Sequence, residues 1–212
     1  PYGLDYYYEF LAEGYFKAGR LGEFETLFEG SGDLKGEPEK KAIIYNRIGN
    51  LFWEEYKYKE AVPYYEKAIE LDRMRPIYEC NLGRAYGNLG RWGEMVEHCG
   101  KAVELRRKTP TDPYSLDYYY ESLAEGYFKT GRLGEFETLF EGSGDLKDEP
   151  EKKATVYNRV GNFFWSLYKY KEAIPYYEKA IALNPENPSF ISNLIRATEN
   201  IDNINDKMAF LT

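Results

Sequence analysis

Residues 1–72 recur almost verbatim at 113–184. The run Tyr6, Tyr7, Tyr8, Glu9 returns as Tyr118, Tyr119, Tyr120, Glu121, and Ala12 through Lys17 match Ala124 through Lys129 with one offset of 112 residues. The copies differ at thirteen places, many of them mild, such as Ile44 to Val156, Ile48 to Val160 and Val62 to Ile174. A chain built by duplicating one block is a repeat array. Its units bury their apolar faces against one another, so the array stacks into an elongated solenoid rather than closing around one catalytic pocket.

A shorter period runs inside each block. Small residues recur at Ala12, Gly49, Gly83, Ala124 and Gly161, each preceded by an aliphatic residue and followed three positions later by Tyr15, Phe52, Tyr86, Tyr127 or Phe164. Twelve positions after the small residue come Phe24, Ala61, Met95, Phe136 and Ala173, and sixteen after it Phe28, Tyr65, Cys99, Phe140 and Tyr177. Spacings of three, four and seven mark amphipathic helices. Breaks at Gly19-Arg20, Tyr56-Lys57, Gly90-Arg91, Gly131-Arg132 and Tyr168-Lys169 divide each unit into two helices. A Gly or Ala at the recurring small position lets the two helices approach closely while aromatic rings fill the flanking gaps.

This pattern resembles the tetratricopeptide repeat, most closely at Tyr45, Gly49, Phe52, Ala61, Tyr65 and Ala68, and again at Tyr157, Gly161, Phe164, Ala173, Tyr177, Ala180 and Pro185. The resemblance implies an all-α, right-handed superhelix spanning 1–212 as a single array. It has about five helix-turn-helix repeats, near 5–38, 42–75, 76–109, 117–150 and 154–187, within duplicated blocks 1–112 and 113–184. A C-terminal capping helix follows at 188–203, where Ile195 replaces the small residue, with Ile191 and Leu194 expected inward and Asn200, Asp202 and Asn203 outward. Met208 through Leu211 read as a short turn or the stub of a continuing chain.

Departures from the pattern are informative. Phe24 and Phe136 stand where small residues are expected, and the second helices of the first and fourth units stop early at Glu29-Gly30-Ser31-Gly32 and Glu141-Gly142-Ser143-Gly144. The segment 30–36 invites a phosphate-loop reading, but it follows a helix, and Gly36 becomes Asp148 in the copy, so glycine-terminated helix is the better account. The next helix is expected near Glu37-Pro38-Glu39, with proline and acids suited to a first turn.

In the family that the pattern resembles, first helices line a concave groove. Carried over residue by residue, the groove positions are Tyr6, Glu9, Glu13, Phe16 and Lys17, then Ile43, Asn46, Asn50, Trp53 and Glu54. The third unit contributes Ile77, Cys80, Arg84 and Asn88. The copies give Tyr118, Glu121, Glu125, Phe128 and Lys129, then Thr155, Asn158, Asn162, Trp165 and Ser166. Asn46 and Asn50 lie one helical turn apart, as do Asn158 and Asn162. An amide offers both donor and acceptor, so such a pair can hold an extended peptide backbone without reading its sequence. The competing account is that these asparagines solvate a helix face. If they hold peptide, their replacement by Ala should abolish binding and leave the melting transition nearly intact. The Glu and aromatic patch suits a ligand with basic and apolar anchors, unless its rings pack between helices and its acids are solvated. Trp53 and Trp165 read equally as groove anchors or as filler between repeats. Chaperone-tail-binding members of the family use Lys, Asn and Arg to clamp a carboxylate pair; Glu9 and Glu13 carry the wrong charge for that.

The charge of the chain excludes other classes. At −8 with pI near 5.0 it does not suit nucleic acid, which needs clustered Lys and Arg. The one dense basic run, Arg106-Arg107-Lys108, reads as a linker or helix C-terminus. Aromatic residues at 17% and hydrophobic residues at 43% supply ample core, and no apolar run is long enough for a membrane span. Cys80 and Cys99 occur in one block only and form no disulfide framework or metal quartet, which reads as free thiols in a reducing, cytoplasmic setting. The opening Pro1 aligns with Pro113, so the chain reads as a piece of a longer protein. His98, the one histidine, neighbours Cys99, whose register puts it in the core, so no catalytic set and no cofactor is expected. A Glu9/Glu13 pair on an open helix face is a weak cation site. The expectation is a non-enzymatic scaffold for a protein or peptide, with a bivalent ligand suggested by the repeated patch. The alternatives are an array that associates with itself or a regulatory arm of a larger enzyme or signalling protein.

Overall fold

The computed structural model describes residues 3–209, with side chains through Ile201. The described residues form eleven helices and no strand. They are α1 (Leu4–Lys17), α2 (Leu21–Ser31), α3 (Pro38–Glu54), α4 (Tyr58–Leu71), α5 (Pro76–Asn88), α6 (Trp92–Lys108), α7 (Leu116–Lys129), α8 (Leu133–Ser143), α9 (Pro150–Ser166), α10 (Tyr170–Leu183) and α11 (Pro188–Ala209). The chain divides into two units, 1–113 and 114–212. In the first, α1 packs on α2 and α3, α3 on α4, α4 on α5, and α5 on α6; in the second, α7 packs on α8 and α9, α9 on α10, and α10 on α11.

The helix ends follow from the sequence. Pro38, Pro76 and Pro150 open their helices, where a missing N–H costs nothing. Gly32 and Gly144 end α2 and α8 in the left-handed conformation at φ 70° and 69°, so the glycine-rich segments are helix terminators. Arg106, Arg107 and Lys108 occupy the last turn of α6, where they complement the helix dipole. In the turns after α3 and α9 the left-handed residue is a tyrosine, Tyr56 and Tyr168, each at φ 59°.

The recurring small residues act as expected in the second and fifth repeats. A Cβ on Gly49 would sit 2.6 Å from the Tyr65 ring, and one on Gly161 would sit 2.5 Å from the Tyr177 ring. These separations are well inside van der Waals contact, so α3–α4 and α9–α10 approach at those glycines. The first and fourth repeats pack differently. Phe24 stacks on Phe28 at 5.5 Å, and Tyr8 meets the edge of Phe28 at 5.0 Å; Phe136, Phe140 and Tyr120 repeat the cluster. Ala12 and Ala124 remain buried there, but aromatic burial replaces close helix approach where Phe24 and Phe136 stand in place of a small residue on the second helix. Tyr8 closes the unit by donating to Asp33 at 2.5 Å, as Tyr120 does to Asp145 at 2.6 Å.

The terminal helix corrects one expectation. Ile191 is exposed, and the inward residues of α11 are Phe190 and Ala197, with Leu194 packed against the Tyr170, Ala173 and Tyr177 cluster. The buried stripe is set one residue earlier than the apolar pattern implies. Helix α11 runs to Ala209, which places Met208 in helix; Phe210 and Leu211, and the side chains of Asp202 and Asn203, lie outside the described residues. Among the described residues no helix is long and apolar enough to cross a membrane.

Candidate functional site

Helix α3 carries Asn46, Asn50 and Trp53 at spacings of four and three, which sets them along one stripe. The next first helix, α5, brings Asn81 and Arg84 to the same place. Asn81 donates its amide to Asn46 Oδ1 at 2.9 Å and reaches Asn50 Oδ1 at 3.5 Å. From the second helix, the Tyr65 hydroxyl donates to Asn50 Oδ1 at 2.9 Å. Arg84 lies over the Trp53 ring, 5.2 Å from its centroid, and the same indole makes an edge contact with the Tyr58 ring at 4.8 Å. Asn50, Trp53, Glu54, Tyr65, Asn81 and Arg84 line a cavity of about 140 Å³.

The second unit builds the same arrangement. Asn193 donates to Asn158 at 2.9 Å and reaches Asn162 at 3.5 Å, Tyr177 donates to Asn162 at 3.0 Å, and Arg196 lies 4.9 Å over Trp165. Asn162, Trp165, Tyr177, Asn193 and Arg196 line a smaller cavity of about 60 Å³. The asparagine pairs are therefore neither freestanding nor merely solvated: each is tied to a third amide one repeat on. Each Trp is both filler and wall, in contact with a tyrosine of the following helix and with an arginine over its ring.

The sequence pattern did not single out Asn81, Asn193, Tyr65, Tyr177 or Arg196 as site residues. A signal existed. The offset of 112 continues past residue 184, so that Pro188, Asn193, Leu194, Arg196, Ala197 and Asn200 match Pro76, Asn81, Leu82, Arg84, Ala85 and Asn88. What reads as a capping helix is a diverged copy of α5 that has kept the amide and guanidinium at the cavity.

The remaining groove expectations divide. Phe16 meets the Phe52 ring edge at 4.9 Å and Phe128 meets Phe164 at 5.0 Å, so both rings pack between repeats. Cys80 is fully buried and lines no groove. Asn88 turns its amide back to Arg84 O of its own helix at 3.1 Å. Tyr6 sits against Phe10 at 4.7 Å, and Tyr118 stacks on Tyr114 at 5.1 Å. Lys129 is exposed, like its counterpart Lys17.

The acidic patch is internally partnered. Glu13 accepts from Lys17 at 2.5 Å and from Arg47 at 2.8 Å, and these two cations hold its carboxyl down at about 2. Burial pushes the Glu9 carboxyl up, with Arg47 opposing. Arg47 also reaches Glu54 at 3.2 Å. In the copy, Arg159 stands 4.0 Å from Glu121 and 3.8 Å from Glu125. Elsewhere, His98 Nδ1 pairs with Glu79 at 2.7 Å, and Cys99 is buried with its sulfur against Gly83. Among the described residues no cluster of His, Cys, Asp or Glu could hold a metal ion.

Three stretches match tetratricopeptide repeat models: residues 42–73, 80–109 and 154–187. The chain is 27% identical over 180 residues to the Hsp70-Hsp90 organizing protein of Triticum aestivum, covering 72% of this chain and 31% of that protein. It therefore spans about a third of the length of such curated relatives. Among solved structures, the tetratricopeptide protein YrrB aligns with a TM-score of 0.56 at 18% identity, covering 91% of this chain and 90% of that one. A chain of Podosopora anserina with nearly identical tetratricopeptide-like repeats aligns at 0.58 and 18%, covering 83% and 92%. Helix pairs packed in succession within each unit, three of them matched by these models, make the chain a tandem array of tetratricopeptide repeats.

Proposed function

We propose that the chain is a non-enzymatic scaffold that holds a protein or peptide segment along its first helices, at the two asparagine–tryptophan–arginine cavities. The observation that carries this reading is the recurrence of the cavity. Asn162, Trp165, Tyr177, Asn193 and Arg196 reproduce Asn50, Trp53, Tyr65, Asn81 and Arg84, and two of them lie on a helix that has otherwise diverged from its counterpart. The amide oxygens are used internally, which fixes the side chains and leaves N–H groups to meet the carbonyls of an extended backbone. A wall of indole and guanidinium beside them suits an adjoining side chain. The wheat relative is by name an organizer of two other proteins, which supports a protein ligand.

The ligand carries basic and aromatic anchors where it crosses Glu9, Glu13, Glu121 and Glu125, with Tyr6, Lys17, Tyr118 and Lys129 at the rim. Because the cavity occurs in both units, a ligand with two such segments gains avidity if it spans them. The test is capture of segments from a random peptide display library by the intact chain and by the Asn81→Ala/Asn193→Ala variant. Segments enriched on the intact chain and lost on the variant support the reading. Equal enrichment on both would remove the cavities from it.

One observation favours self-association as a second reading. Leu4, Tyr7, Phe10 and Leu11 of α1 are 42%, 60%, 60% and 40% exposed, a contiguous apolar face. Sedimentation across a hundredfold concentration range tests it: a mass that rises with concentration, and falls back on Tyr7→Lys/Phe10→Lys, supports it, and a constant monomer mass excludes it.

A further inference from the structure

The two cavities share five lining residues but differ in charge. Two of the thirteen differences between the copies are consecutive and begin at a residue that lines the first cavity, where Glu54-Glu55 becomes Ser166-Leu167. In the first unit, Glu54 lines the cavity beside Arg84 and also engages Arg47 at 3.2 Å. Glu55 holds Lys57 at 2.6 Å. In the second unit, the Ser166 hydroxyl donates to Phe163 O at 2.7 Å, and the position of Glu55 is an exposed leucine, so Lys169 lacks the partner that Lys57 has. Arg196 lies over Trp165, and among the described residues no carboxylate comes within ion-pair distance of it. Asn162 spends its carbonyl oxygen on Tyr177 and Asn193, leaving its amide N–H groups as donors. Among the described residues, the second cavity thus offers a guanidinium and amide donors with no carboxylate in its lining.

We infer that the duplicated cavities have diverged in charge selectivity: the one at Arg196 accepts the carboxylate of an acidic peptide side chain, and the one at Arg84, with Glu54 beside it, does not. This rests on the peptide-holding reading above and refines it. A carboxylate entering the second cavity meets a cation stacked on an indole, a geometry that keeps the guanidinium edge free to donate. A carboxylate entering the first meets the like charge of Glu54 on the same lining, which opposes what the arginine gains. The two cavities would then select different side chains, basic or neutral at the first and acidic at the second.

The experiment uses the full chain with 15N-labelled tryptophan and follows the indole N–H resonances of Trp53 and Trp165, assigned through Trp53→Phe and Trp165→Phe. The probes are three capped pentapeptides, four alanines around a central Glu, Gln or Lys. The expected result is a saturable shift of the Trp165 resonance with the Glu peptide, about two- to five-fold tighter than with Gln, the size of a partly exposed ion pair. The Trp53 resonance should show no such preference. Ser166→Glu/Leu167→Glu should erase the preference at Trp165, and Glu54→Ser/Glu55→Leu should create it at Trp53. If both resonances respond alike to all three peptides, or the exchanged variants leave the preference where it was, the charge inference is overturned and the peptide reading stands. If neither resonance responds to any peptide in any variant, both are overturned.

Discussion

Asn81 and Asn46, thirty-five residues apart, are joined by an amide hydrogen bond of 2.9 Å. Asn193 and Asn158 repeat it at the same length and separation. Together with the bonds to Asn50 and Asn162, these contacts tie α3 to α5 and α9 to α11, so the asparagines are part of what holds those neighbouring repeats in register.

That bond alters what alanine substitution should do. Read from sequence, the four asparagines would be freestanding and their loss nearly silent in a melt. In the fold, Asn50→Ala removes the acceptor of Tyr65 and the more distant of Asn81's two, and Asn162→Ala does the same to Tyr177 and Asn193. Each should destabilise by about 0.5–1.5 kcal/mol, the net value of a partly buried hydrogen bond. Urea unfolding followed by circular dichroism measures it. Because Asn50 and Asn162 lie in different units, their effects should add.

Gly49 and Gly14 make a contrasting pair. An added Cβ at Gly49 meets the Tyr65 ring at 2.6 Å, so Gly49→Ala should force that ring or its helix to move and cost about 1–3 kcal/mol, and Gly49→Leu more. At Gly14 nothing lies within 4 Å, so Gly14→Ala should stabilise by about 0.5–1 kcal/mol through helix propensity alone. Opposite signs in the same urea experiment are the expected outcome. Equal small effects would mean that α3 and α4 are not held in contact at Gly49.

The turns after α3 and α9 hold a different cost. Tyr56 and Tyr168 sit at φ 59° with 80% and 79% exposure, where the other repeats use Gly19, Gly90 and Gly131. A non-glycine residue there costs roughly 1–2 kcal/mol, and a largely exposed ring recovers little of it. Tyr56→Gly and Tyr168→Gly should therefore each raise stability, by about 1 kcal/mol. A fall in stability would show that the edge contacts with Tyr58 and Tyr170 at 6.3 Å outweigh the backbone strain.

The helix pairs are legible in the sequence because their cause is local. A small residue every repeat, apolar neighbours at helical spacing and a break after one turn residue are all visible within about thirty-four positions. The site is less legible because half of it comes from the following repeat. Asn46 and Asn50 advertise themselves one turn apart, whereas Asn81 has meaning only beside them in space. Phe16 and Phe128 share the groove-facing register but turn sideways onto Phe52 and Phe164, a choice of packing that periodicity does not encode. In α11 the apolar pattern points to Ile191, yet the buried ring is Phe190, the counterpart of Tyr78 in α5. There the duplication is the better guide, since it preserves register where hydrophobicity has drifted.

The buried tyrosines make stability depend on alkaline pH. Burial, then the nearby Glu25, pushes the Tyr64 phenol up to about 12, and burial with Glu137 does the same to Tyr176. Burial likewise raises Tyr78 and Tyr177 to about 12, and moves Tyr45 and Tyr157 further in the same direction with help from Glu29 and Glu141. An unfolded tyrosine ionises near pH 10. Each of these phenols is neutral in the fold at a pH where the unfolded chain has lost its proton. Their contribution to stability is therefore complete below about pH 10 and disappears as the pH rises from there through 12. Helicity should hold to about pH 10 and then fall together with a late rise in phenolate absorbance at about 295 nm. Glu25→Gln and Glu137→Gln remove a repelling carboxylate, so Tyr64 and Tyr176 should ionise at lower pH in that variant and the late absorbance class should begin earlier. Were all 22 tyrosines to titrate in one step near pH 10 with the helices intact, burial could not be what holds these phenols neutral.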